Sequence, residues 1–302
     1  MRQYQVQMTT SPPRGRFAPS PTGPLHFGSL VAALGSWMMA RRAGGEWLVR
    51  IEDVDGPRTV PGAAERQLAT LHAFGLVPDG PVEWQSRRGV QVAATLARLV
   101  ASGDVFECRC SRADLQATGG RHRACVAAPA RRPAALRLRV PDASIGFDDA
   151  VQGHYAQHLG NEVGDIVLRR ADGPWAYQLA VVVDDAAQGI DEVVRGADLL
   201  DSTPRQILLQ RRLGLPTPRY AHLPIALDAT GAKLSKSLRS LPVDDDDPLP
   251  ALRAAWTFLG QPPSALPTLA PARALRAALD AFDPARIPRR REIALEPSPG
   301  GA

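Results

Sequence analysis

The sequence predicts an α/β fold, a parallel sheet with helices on its faces. Strand-like and helix-like segments alternate from residue 14 onward, an irregular stretch holding every cysteine interrupts them, and the alternation then resumes. Residues 1–13 lack periodicity and end in Pro12-Pro13, so a disordered leader is expected there. A short strand over 14–18 runs into the turn Pro19-Ser20-Pro21-Thr22-Gly23-Pro24. Small and apolar residues at helical spacing fill 28–43, and Gly44-Gly45 supplies the stop. A second strand over 47–51 meets the acidic turn Glu52-Asp53-Val54-Asp55, and 61–74 and 87–102 carry amphipathic helical spacing. Residues 14–107 thus form the first half of a core. The span 108–172 mixes cysteines, arginines and irregular turns and reads as an inserted subdomain. Alternation returns through 177–187, 190–196, 204–213 and 221–226, so 173–240 closes the core. The last segment, 241–302, opens on Asp244-Asp245-Asp246-Asp247, whose carboxylates suit the positive end of a following helix, and is Pro/Ala-rich and partly helical.

The 302 residues allow one large domain or two small ones with a sizeable core. Thirty-six basic against 31 acidic residues leave +5, which favours a polyanionic partner. Hydrophobic residues at 44% and charged residues at 22% exclude global disorder and fibrous classes. The longest weakly polar stretch, 27–40, holds 14 residues, against the roughly 20 of a membrane helix. No basic-then-apolar leader is seen, and three cysteines, two of them one residue apart, suit a reduced compartment. A cytoplasmic monomer without a membrane partner is expected.

Of the 36 basic residues only two are lysines, Lys233 and Lys236, within Lys233-Leu234-Ser235-Lys236-Ser237. Lysine is a compact mobile point charge, whereas arginine is a planar fork. A task that needs the first and excludes the second is contact with successive phosphate oxygens during a reaction. The competing reading is two chance lysines in a surface loop. Far upstream, His26-Phe27-Gly28-Ser29 closes the proline-rich turn at a strand-to-helix junction, where free N–H groups and the positive helix end favour an anion. Glycine at 28 permits close approach of a nucleotide, and His26 can donate to a phosphate oxygen. Alone, this is equally an ordinary turn. Cys108-x-Cys110, with Cys125 after fourteen intervening residues, suits tetrahedral zinc but supplies three of four ligands. The alternative is three reduced structural cysteines. His154 and His158 share an i, i+4 spacing that would align them on a helix, as a solvated face.

Taken together, the His26 turn and the lysine segment resemble the paired signatures of class I aminoacyl-tRNA synthetases. Arg16-Phe17-Ala18-Pro19-Ser20-Pro21-Thr22-Gly23, Arg50-Ile51-Glu52-Asp53 and Val194-Arg195-Gly196-Ala197-Asp198 resemble the glutamyl/glutaminyl branch of that class, over about 14–240. Ser29 stands where the general signature has a second histidine, and Leu234 where methionine is usual, a volume-conserving change. The short stretch after the lysine segment does not match the anticodon-binding domain of that branch. This layout resembles the glutamyl-queuosine tRNA(Asp) synthetase family.

The resemblance implies a Rossmann-like nucleotide-binding core split by the insert, without an anticodon-binding domain. It also implies activation of glutamate by ATP with Mg2+ and transfer onto queuosine in the anticodon loop of tRNA(Asp). Arg16, Phe17, Ala18, Pro19, Ser20, Glu52, Tyr177 and Arg195 fall on glutamate-binding positions, with arginine forks for the carboxylates and Glu52 for the α-ammonium. Pro19, His26, Gly28, Ser29 and Lys236 fall on the ATP site. His26, Lys233 and Lys236 are the expected catalytic groups, stabilising charge as it moves onto the leaving oxygens. In the family a tyrosine often completes a zinc site that three cysteines begin. Here His122 holds the nearest place, so Cys108, Cys110, His122 and Cys125 are expected to bind one structural Zn2+. Arg109, Arg112, Arg121, Arg123, Arg131, Arg132 and Arg289-Arg290-Arg291 either track RNA phosphates or form solvated surface. Two rival functions stay open: charging a tRNA 3′ end, or non-catalytic binding of nucleotide or RNA.

Overall fold

A computed structural model describes residues 12–126, 133–228, 231 and 242–295. The chain opens with β1 (Arg14–Phe17), α1 (Phe27–Arg42), β2 (Glu46–Ile51), α2 (Ala63–Ala73), β3 (Glu83–Trp84) and α3 (Gly89–Ala101). Five strands follow: β4 (Val105–Cys108), β5 (Ala135–Leu138), β6 (Ser144–Asp149), β7 (Gly153–His158) and β8 (Ile166–Arg169). Next come α4 (Tyr177–Ala187), β9 (Glu192–Gly196), α5 (Thr203–Leu213), β10 (Arg219–Leu223) and β11 (Ile225–Leu227). The described chain finishes with α6 (Pro248–Phe258), α7 (Pro271–Ala278) and β12 (Glu292–Ala294).

Seven strands form the main sheet in the order β3-β2-β1-β9-β10-β6-β7. All its pairings are parallel except the β6–β7 hairpin. Chain order reverses between β1 and β9, so the loops leaving their carboxyl ends part in opposite directions and open a crevice. Of the functional residues foreseen from sequence, Arg16 to Ser20 and Arg195 lie at the carboxyl ends of these two strands. In the β9–β10 register His222 is the partner of Arg195, which sets their side chains next to each other on one face.

One face of the sheet is covered by α1. From Leu30 to Ala40 all but Ala32 are buried, so this helix has no polar stripe and must be enclosed. Its far side is closed by α6 and α7, which add Leu252, Trp256 and Leu275 to a core with Leu34 and Trp47. Gly35 permits the tight fit onto the sheet: a Cβ there would lie 2.5 Å from Leu223 Cδ1. On the opposite face α3, α4 and α5 bury Leu96, Leu179 and Ile207 with Val193 and Tyr220.

Three details differ from the sequence reading. The segment 221–226 breaks at Pro224, which lacks an N–H for a continuous ladder; β10 stays in the main sheet and β11 pairs with β12. The span 108–172 divides between two sheets. In it β5 and β8 join β4 in a three-stranded antiparallel sheet, while β6 and β7 extend the main one. His154 and His158 lie on β7, not a helix, and exposed His154 is bonded to Asp148 at 2.8 Å. Among the described residues no helix is long and apolar enough to cross a membrane.

Candidate active site

The crevice at the switch point is a cleft of about 800 Å³. Arg16 to Ser20 line it from the end of β1, Glu52 from the end of β2, Tyr177 from the start of α4 and Arg195 from β9. His26, Gly28 and Ser29 line it from the start of α1. The fold thus brings together every expected glutamate and ATP residue outside the lysine segment.

Lys233 and Lys236 lie outside the described residues. The chain on either side of them is described, and both flanks border this cleft. Ile225 and Ala226 of β11 line it on one side and Pro242 on the other. Pro242 also forms an antiparallel bridge with His26, and Val243 N–H donates to Leu25 O at 3.1 Å.

The turn before α1 is held by α2. Gln67 Nε2 donates to Ser20 O at 3.1 Å and to Gly23 O at 2.7 Å. His26 caps α1, its Nδ1 accepting Ser29 N–H at 3.3 Å. An accepting Nδ1 leaves the proton on Nε2, which faces Ser29 Oγ at 3.1 Å. Burial pulls the His26 pKa below its ordinary value, so the ring is a neutral donor rather than a cation at pH 7. Glycine at 28 also serves a local need, since a Cβ there would meet this ring at 3.3 Å.

Beneath the amino-acid end lies a buried charge cluster. Asp185 receives Arg16 Nε at 3.2 Å and Arg50 Nη2 at 2.8 Å. Arg50 also reaches Glu52 Oε1 at 3.1 Å and Gln188 Oε1 at 2.6 Å. Burial would raise the Asp185 pKa, but Arg16 and Arg50 outweigh it and hold the carboxyl below its usual range. At Glu52 burial wins over the same arginines and the pKa rises. Arg16 is therefore already claimed by an internal carboxylate.

Arg195 is different. The residue is 6% exposed, yet its partners among the described residues are all neutral. Nε donates to His222 Nε2 at 3.0 Å, and Nη2 to Thr203 Oγ1 at 2.9 Å and Gln206 Oε1 at 2.8 Å. Nη1 reaches Tyr177 Oη at 3.4 Å. Burial raises the Tyr177 pKa, so the phenol stays protonated. A buried cation with no carboxylate bonded directly to it is costly unless a bound anion supplies one; the carboxylate behind it, Asp149, is reached only through His222.

The four expected metal ligands converge as well. The ligand atoms of Cys108, Cys110, His122 and Cys125 all lie within 4.8 Å of one another. His122 Nε2 faces Cys125 Sγ at 3.6 Å, while Nδ1 meets Asp165 Oδ2 at 2.8 Å. A carboxylate on one ring nitrogen orients the other toward a metal, so this donor set fits tetrahedral zinc. Burial, then the adjacent Cys108 and Cys110, push the Cys125 thiol up, a crowding that a divalent cation relieves.

Asp185, His222, Asp149 and Gln206 were not singled out from sequence. Asp184-Asp185 inside the apolar run of α4 and His222 inside an apolar strand carried a signal, a charge where only burial is available; Asp149 and Gln206 carried none.

A parallel core with its cleft at the switch point, a histidine-capped helix start and arginines set for an amino acid together define a class I aminoacyl-tRNA synthetase catalytic domain. A family model described as "tRNA synthetases class I (E and Q), catalytic domain" matches residues 14–134 and 127–265, and the chain belongs to that family. It is 64% identical over 284 residues to a glutamyl-Q tRNA(Asp) synthetase of Xanthomonas campestris pv. campestris (strain 8004), covering 93% of this chain and 95% of that one. A glutamyl-Q tRNA(Asp) synthetase of Burkholderia mallei (strain ATCC 23344) is 58% identical over 288 residues, with 91% and 94% covered. Among solved structures, a glutamate tRNA ligase from Elizabethkingia meningosepticum in complex with its amino acid superposes with a TM-score of 0.77 at 25% identity. The match covers 93% of this chain but 66% of that one.

His222 generates a pH prediction. Burial first, then the nearby Arg195, lower its pKa to about 4 against the bond from Asp149. The unfolded chain, near 6.5, then takes up a proton that the folded chain refuses. Stability should be full above about pH 6.5 and fall by about 2–3 kcal/mol between about pH 6.5 and 4.5. Urea unfolding at the two pH values should show His222→Gln losing less than the parent chain.

Proposed function

We propose that this chain activates glutamate with ATP and transfers it to queuosine in the anticodon loop of tRNA(Asp). The observation that carries the reading is Arg195, a buried guanidinium bonded only to neutral groups in the cleft that His26 also lines. A doubly carboxylated amino acid supplies the missing anion. Arg16 and Glu52 flank it, and Glu52 is the acceptor for its α-ammonium. Relatives similar over nearly their whole length, all named for tRNA(Asp), support the acceptor.

In the first step a glutamate α-carboxylate oxygen bonds to the α-phosphorus of ATP as the bond to the pyrophosphate oxygen breaks. Catalysis here is positioning and charge stabilisation. His26 Nε2–H, neutral and parked on Ser29, is free to turn its proton to a phosphate oxygen. Lys236 and Lys233 follow the negative charge onto the leaving group. In the second step a queuosine hydroxyl attacks the activated carbonyl; the hydroxyl proton is lost and AMP leaves. The chain takes ATP as its magnesium complex. One Zn2+ held by Cys108, Cys110, His122 and Cys125 would tie β4 to the loop that follows it.

Three experiments test this. With ATP and labelled glutamate, label should appear in the anticodon fragment of queuosine-containing tRNA(Asp). In the first half-reaction, Lys236→Ala should slow pyrophosphate exchange roughly a hundredfold. Label at the 3′ end, or equal labelling of queuosine-free tRNA, would contradict the acceptor. Metal analysis of the purified chain should find one zinc, retained less firmly by His122→Ala. Zinc-free protein of unchanged stability would remove the metal.

A further inference from the structure

His222 and Asp149 take no part in the chemistry above, yet they are bonded directly behind it. His222 is fully buried and Asp149 is 4% exposed. Because an arginine Nε–H only donates, His222 Nε2 must accept from Arg195, at 3.0 Å. The ring proton therefore sits on Nδ1, which donates to Asp149 Oδ2 at 2.5 Å. Asp149 is itself fixed by its other oxygen, which accepts the N–H groups of Val151, Gln152 and His222 at 2.9–3.0 Å. The result is an unbroken line of donors running from β9 through β10 to the carboxylate on β6. It fixes the Nε edge of Arg195, and with Thr203 and Gln206 on Nη2 it leaves Nη1 as the least engaged corner of the fork, beside Tyr177.

We propose that Asp149 and His222 are positioning residues for glutamate binding. They set the orientation of Arg195 and make the β6–β7 hairpin a working part of the amino-acid site. The hairpin belongs by sequence to the insert, and its parallel contact with β10 is the single register pair Tyr220↔Asp149. Asp149 thus stands where the insert meets the core. A purely structural role for the pair predicts a uniform loss on mutation. A positioning role predicts a loss confined to glutamate, since the ATP end of the cleft is built from the His26 turn. The inference rests on Arg195 being the carboxylate hook.

The test is glutamate-dependent ATP–pyrophosphate exchange by the full chain, with KM measured for each substrate. His222→Leu removes both the acceptor for Arg195 and the donor to Asp149. It should raise KM for glutamate at least about tenfold, as expected for losing a hydrogen bond to a charged group, with KM for ATP within about twofold. His222→Gln, whose amide can accept from Arg195 and donate to Asp149, should recover most of that loss. Unchanged KM for glutamate in folded His222→Leu, or equal losses for both substrates, would overturn the proposal. If His222→Leu does not fold, Asp149→Asn decides on the same split. Exchange by the parent chain without dependence on glutamate would instead overturn the reading of the cleft itself.

Discussion

The site depends on one unusual electrostatic arrangement, a guanidinium buried among neutral acceptors. Arg195 touches a histidine, a threonine, a glutamine and a phenol, and no carboxylate among the described residues. Its neighbour Arg16 shows the alternative, since Asp185 already compensates that charge. A folded protein tolerates an uncompensated buried cation where a ligand supplies the balance. That makes Arg195 a hook rather than a strut.

The rest of the architecture sets this hook in one cleft with the His26 turn. The reversal of strand order between β1 and β9 sets the Arg16-to-Ser20 turn and Arg195 on either side of one crevice. The α1 start contributes N–H groups and a neutral His26 on the same side. Enclosing α1 requires a second cover, which α6 and α7 provide, so the C-terminal region is part of the catalytic unit's core. Residues 225–226 and 242 bring both flanks of the lysine segment to the cleft.

Much of this was legible in the sequence. The alternation of periods identified the α/β core, and the glycine-proline turn and the acidic turn marked residues that line the cleft. Cys108, Cys110, His122 and Cys125 are separated along the chain yet their ligand atoms converge within 4.8 Å of one another, as the density of thiols and the nearby imidazole led one to expect. What was not legible depends on pairing over long separations. Nothing local marks Asp149 as the partner of His222, 73 residues away, since that contact exists only through the β6–β10 register. Asp185 is similar: its neighbours Arg16 and Arg50 come from strands more than a hundred residues upstream. Pro224 was visible, but its effect, splitting one apparent strand between two sheets, depended on where β12 returns.

The most direct test of the account is calorimetric titration of glutamate into the parent chain and into Arg195→Met, with thermal unfolding of both. Glutamate affinity should fall at least about thirtyfold in the variant. The variant should still unfold cooperatively, at a somewhat lower temperature, because His222 Nε2 and Gln206 Oε1 lose their buried donor. Undiminished glutamate affinity in a folded Arg195→Met chain would contradict it.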